Sequence, residues 1–147
     1  MAYPNALEID LATILRGSTL VSTGSTGDYS VFVGIRPNSP GRAISIASFG
    51  GGSPNPKWLM DTVNAQISVR AGIYEYQLAS QKIQKIKDLL LGSTTQTIGG
   101  SKYVSFTMPN DVSFLQYDED QRPIWRMDIT CIREPTNSTG QTNRQSL

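Results

Sequence analysis

The stretch VNAQISVRAGIYEYQLASQKIQKIKDLLLG, residues 63–92, changes its hydrophobic period part-way along. Over 63–70 the apolar side chains Val63, Ala65, Ile67 and Val69 alternate with Asn64, Gln66, Ser68 and Arg70. A period of two sends the first set to one face of a β-strand and the second set to the other. From residue 73 the period lengthens to three and four. Tyr76, Ala79, Ile83, Ile86 and Leu90 then share one stripe of a helix expected over 73–91. Gly92 ends it. A half-polar strand running into an amphipathic helix calls for helices laid on one face of a sheet.

The flanking sequence fits that frame. Residues 5–16 place Leu7, Leu11, Ile14 and Leu15 on one helical face, with Glu8 and Asp10 near the start and Arg16 near the end, where they suit the helix dipole. Strands are expected over 29–36, 43–48, 102–108, 111–117 and 123–134. In the last, Trp125, Met127, Ile129 and Cys131 alternate with Arg126, Asp128 and Thr130. Strands and helices are segregated along the chain, so the expected class is α+β: a mostly antiparallel sheet with two helices packed on one face. The second sheet face, carrying Gln66, Arg70, Arg126 and Asp128, must meet water or another subunit. One domain is expected over 1–135. The polar segment 136–147, with a single apolar residue, is expected to be a flexible tail.

Composition narrows the chemistry. Thirteen basic and 12 acidic side chains leave a net charge of +1, which gives no bulk attraction to nucleic acid or an anionic membrane. No apolar run approaches the ~20 residues of a membrane span, and the N-terminus lacks the pattern of a signal peptide. There is no histidine and one cysteine, Cys131, so neither a zinc site nor a histidine-activated nucleophile is expected. Cys131 lies on the apolar side of its strand and is expected to be buried. Lys82, Lys85 and Lys87 form a solvated helix edge without interleaved aromatic rings for stacking nucleic-acid bases.

Two stretches invite a site. SFGGGSPNPKW, residues 48–58, combines Gly50, Gly51 and Gly52 with Lys57. A phosphate loop needs a serine or threonine after its lysine and a helix behind it. Here Trp58 follows Lys57, and Pro54 and Pro56 each remove a backbone N–H. The stretch reads instead as a glycine hinge with a stiff end. Asp118, Glu119 and Asp120 suggest a divalent cation, but Gln121, Arg122 and Pro123 follow, without the alternating ligands of a calcium loop. A charged hairpin turn is the better reading. No cofactor and no metal is expected, and the chain is read as a structural protein and not an enzyme.

The order of these features resembles the tail terminator and minor capsid proteins of long-tailed bacteriophages. The resemblance covers residues 48–135. It rests on a Gly-Gly-Pro loop at Gly51, Gly52 and Pro54, a strand ending Val69-Arg70, and the helix with Tyr76, Ala79 and Ile83. A Gly-Lys-Tyr turn, the acidic turn Asp118-Glu119 with Arg122, and a last strand from Trp125 to Pro135 complete it. The family's turn commonly has glycine where this chain has Gln121. The resemblance implies a virion protein of the tail and neck, made in the host cytoplasm, that forms a ring, usually a homohexamer. Such a ring caps the tail tube, stops its polymerisation and docks the tail to the head connector. Its partners would be further copies of itself, the tail tube protein and the head–tail connector, with genomic DNA at most passing through the lumen. A head-completion ring of the neck is the alternative, and a small enzyme using acidic residues a more distant one. Gly51, Gly52, Lys57, Trp58, Arg70, Arg126 and Asp128, together with the C-terminal tail, are the expected contact residues.

Overall fold

The computed structural model describes residues 5–18, 29–38, 41–52, 60–93, 95–98 and 101–135. In chain order the elements are α1 (Leu7–Arg16), β1 (Ser30–Val33), β2 (Ala43–Phe49), β3 (Asp61–Arg70), α2 (Tyr76–Leu91), β4 (Gln96–Ile98), β5 (Ser101–Thr107), β6 (Ser113–Tyr117) and β7 (Pro123–Pro135). The strands form one sheet in the order β1-β2-β3-β7-β5-β4, with β6 also paired to β7. β1 runs parallel to β2, and every other pairing is antiparallel. The fold is α+β, as the periodicities implied.

The alternation of β3 survives intact in the register. Val69 faces Trp125, Ile67 faces Met127, Ala65 faces Ile129 and Val63 faces Cys131, so four pairs share the helix-covered face. Ile44 and Ile46 extend that face into β2. Leu7, Leu11 and Leu15 of α1 and Ala79, Ile83, Ile86 and Leu90 of α2 close on it in a single hydrophobic core. Each fully buried leucine or isoleucine contributes roughly 1.5–3 kcal/mol. Burial pushes the Cys131 thiol up to about 12, so it is a packing residue.

Several details depart from the simple periodicities. α2 begins at Tyr76, three residues later than expected, because Tyr74 has a φ of 66° and cannot continue a helix. β4 is a three-residue hairpin arm against β5 inside what reads as a turn; three residues are too few to show a period. A register shift between Tyr103 and Ser105 lets both Tyr103 and Phe106 enter the core, although they are three positions apart. Asp10, assigned by its position to the dipole of α1, is buried. It accepts hydrogen bonds from the Tyr103 hydroxyl and from Asn5 Nδ2 (3.0 Å). Arg133 Nη1 donates to the Tyr103 hydroxyl (3.2 Å) and to the Asn5 carbonyl (2.8 Å), completing a polar knot between α1, β5 and β7. Burial, then the bond to Asp10, raises the tyrosine pKa well above its ordinary value.

The glycine run ends against β3. Gly52 N–H donates to the Thr62 carbonyl at 3.2 Å, and Asn64 Nδ2 donates to the Gly50 carbonyl at 2.7 Å. A Cβ on Gly51 would overlap the Thr62 carbonyl oxygen, whereas one on Gly50 would meet open space. Gly51→Ala should therefore cost about 1–3 kcal/mol through overpacking, and Gly50→Ala should be near neutral. Urea unfolding of the two variants checks this contrast.

Candidate functional site

The face of the sheet away from the helices carries Arg70, Arg126 and Asp128 of the expected contact residues. Its register sets Asn64 opposite Thr130, Gln66 opposite Asp128, Ser68 opposite Arg126 and Arg70 opposite Ile124. Across β2 the face continues as Ser45 opposite Ser68 and Ala47 opposite Gln66. Asn64 Oδ1 accepts from Thr130 Oγ1 at 2.7 Å, and the Ser45 and Ser68 hydroxyls lie 2.6 Å apart. Arg126 and Asp128 are half-buried, and among the described residues neither belongs to an ion pair. With Asn110, Asp111, Ser113 and Met127 they line a shallow cleft of about 230 Å³. Both charges stand on the central strand β7, where Arg126 is paired to Ser68 on one side and Ser113 on the other, and Asp128 is paired to Gln66.

Arg70 differs from the solvent-facing contact residue that its alternation suggests. It is 3% exposed. Its Nε donates to the Gly41 carbonyl (3.0 Å) and its Nη2 to the Pro37 carbonyl (2.6 Å). The chain following β1 folds back over this end of the polar face, and Arg36 Nη1 reaches Ser68 Oγ at 3.3 Å. Burial lowers the Arg70 pKa from the ordinary arginine value, and the neighbouring Arg122 lowers it further. Arg70 and Gly51 also lie at opposite ends of β3. The eight steps from Thr62 to Arg70 span about 26 Å at ~3.3 Å per residue, so the two belong to separate places on the surface. Lys57 and Trp58 lie outside the described residues, as does the segment 136–147.

The acidic turn has its own internal use. Asp118 Oδ1 accepts from the backbone N–H of Asp120 (3.0 Å) and of Arg122 (2.9 Å), while Oδ2 accepts from Arg122 Nε (2.7 Å). Arg122 then reaches across to Asn38, donating to its carbonyl (2.8 Å) and to its Oδ1 (2.6 Å). Gln121 closes the turn at a φ of 62°, a conformation that glycine adopts without strain. The triplet is thus the cap of the β6–β7 hairpin, and its first carboxylate is saturated with donors from the protein. Among the described residues no three His, Cys, Asp or Glu side chains gather into a metal-binding group. Lys82 also departs from a purely solvated edge, since its Nζ lies 4.9 Å from the centre of the Tyr29 ring.

The polar face lies on central strands, and the neighbouring hairpin is tied by Arg122. Residues 14–135 match the family described as Bacteriophage tail terminator protein. The chain belongs to this family. The match reaches back into α1, well before the residues that carry the resemblance in sequence. No curated protein matches the chain. Family membership makes this a structural protein of the phage tail, and no described helix is long and apolar enough to cross a membrane.

Two consequences can be measured. Removing the Arg70 guanidinium leaves the half-buried Pro37 and Gly41 carbonyls without this donor, and Arg70→Glu adds a buried carboxylate. Arg70→Ala should cost about 2–4 kcal/mol in chemical denaturation, and Arg70→Glu more. The second concerns pH. Burial raises the Asp118 pKa, but the backbone N–H and guanidinium of Arg122 outweigh burial and hold it below the usual carboxylate value. A depressed folded pKa means the unfolded chain binds the proton more readily. The stabilisation is therefore present above the unfolded value of about 3.9 and is lost as pH falls through the folded one. The stability gap between wild type and Asp118→Asn should be constant from about pH 7 to 5 and shrink below about pH 4.

Proposed function

We propose that the chain acts as a ring, a homohexamer, that caps the completed tail tube, prevents further addition of tube protein and joins the tail to the head connector. Family membership over residues 14–135 supports the tail-end placement. The observation that carries the assembly role is the polar sheet face, where Arg126 and Asp128 lie two residues apart on β7 with no ion-pair partner among the described residues.

A charge held on a central strand has little freedom to reorient, so it gains most from a partner whose opposite charge arrives in register. Such pairs select the partner and the docking angle more than they add affinity. Contact residues on this reading are Arg126 and Asp128, with Gln66 and Asn64 as uncharged neighbours. Arg70 supports this end of the face by holding the Pro37 and Gly41 carbonyls. The glycine turn at Gly51 and Gly52, with Lys57 and Trp58 beyond it, offers a second contact at the far end of β3.

The test uses tails assembled without this protein. Wild-type chain added back should give tails of uniform length that join heads. Arg126→Glu should leave folding stability within about 0.5 kcal/mol while failing to terminate or join tails, read by electron microscopy. Normal tails with Arg126→Glu would remove the polar face from the assembly. Tails of uniform length in the protein's absence, with heads that lose DNA, would instead favour a head-completion ring.

A further inference from the structure

α2 carries four charged side chains, and two of them are engaged within the chain. Lys82 Nζ lies 4.9 Å from the centre of the Tyr29 ring, and Lys87 Nζ pairs with Asp111 at 3.1 Å. Lys85 and Asp88 remain. Both are exposed, and among the described residues neither belongs to an ion pair. The buried stripe Ala79, Ile83, Ile86 and Leu90 faces the sheet, so Lys85 and Asp88 stand on the outward side of the helix beside Gln77, Leu78 and Gln81.

Asp88 also opposes the helix dipole. It lies in the last turn of α2, which holds no basic residue. The free carbonyls there carry partial negative charge and disfavour a carboxylate. A cation brought by a partner would offset both.

The open sheet face holds the opposite arrangement. Arg126 and Asp128 project from β7 two residues apart, again in no ion pair among the described residues. Residues two apart on a strand are separated by about 7 Å. Residues three apart on a helix have Cβ atoms about 5–6 Å apart. The flexible lysine stem takes up the difference. Asp88 can therefore meet Arg126 while Lys85 meets Asp128. A partner of a single sign, nucleic acid included, would set a like charge against one member of the pair, which selects against it. The outward side of α2 and the open face lie on opposite sides of the sheet, so they cannot meet within one chain. Between copies they meet head to tail, and head-to-tail contacts are the kind that close into rings.

We propose that the outward side of α2 docks on the open sheet face of the next copy, with Asp88 against Arg126 and Lys85 against Asp128. The contact names the partner of the open face in the ring suggested above and rests on that reading. Arg126→Glu and Asp88→Lys each set like charges across the contact, and the double variant restores an opposite pair. Wild type, both single variants, the double variant and an equal mixture of the two singles are compared by native mass spectrometry over a concentration series and by addition to tails lacking the protein. Denaturant unfolding of the dilute chains shows that each is folded. Lys85→Glu with Asp128→Lys repeats the cycle at the second pair, so a variant that fails to fold leaves the other pair to decide. Each single variant should assemble at least about tenfold less tightly than wild type. The double variant and the mixture should recover most of that loss, the mixture as rings holding both variants in equal number. Single variants that assemble as wild type, or a double variant and a mixture no better than the singles, overturn the contact and leave the ring reading intact. Single variants that form wild-type rings but no longer engage tails assign these charges to the tail tube and likewise overturn it. A wild-type chain that remains single at every concentration and on tails removes the ring and this contact together.

Discussion

The antiparallel register between β3 and β7, unbroken from Asp61–Arg133 to Arg70–Ile124, is the constraint on which the rest of the molecule depends. Both strands are internal. β3 carries β2 on its other side, and β7 carries β5 and β6. A slip of one residue would exchange the two faces of a strand, bringing Arg126 and Asp128 into the helix-covered core and Met127 and Ile129 into the polar layer. The burial of charge and the exposure of apolar surface would both oppose that slip. The pairing and the amphipathic helices therefore enforce each other.

That register also accounts for the layout of the open sheet face. The helices cover one face, leaving the other as a rigid polar layer whose hydroxyls and amides hydrogen-bond across strands. Its corners are closed by arginines working inside the chain: Arg70 on the carbonyls of Pro37 and Gly41, and Arg122 between Asp118 and Asn38. At the opposite edge the knot of Asp10, Tyr103 and Arg133 joins α1 to the sheet. In this tail terminator those arginine and tyrosine side chains are committed to ties within the chain.

Legibility followed the range of the interactions. The alternation over 63–70 and the stripe from Tyr76 to Leu90 report burial of whole faces, and both survive folding. Within those elements, individual side chains were harder to place. Arg70 sits at a polar position of its strand, yet the loop that buries it lies some 30 residues earlier, and no local pattern reports that return. Asp10 resembles an acid chosen for its helix dipole, whereas the hydroxyl it meets is on Tyr103. The β5 register shift breaks the period of two, which hides the joint burial of Tyr103 and Phe106.

What the amino-acid order determined alone was the class of fold, the division of the sheet into an apolar and a polar face, and the poor fit of the glycine run to phosphate. These follow from periodicity, from the missing N–H groups of Pro54 and Pro56, and from the residue types available. Only the tertiary structure decided which polar residues remain available. It took Arg70 and Asp118 for internal use, left Arg126 and Asp128 on the open face, and gathered Tyr74, Tyr117 and Gln121 around one cleft. The physical reason is that a side chain's exposure depends on segments distant in sequence that fold over it. Backbone strain, as at Tyr74 and Gln121, likewise leaves no trace in composition or period.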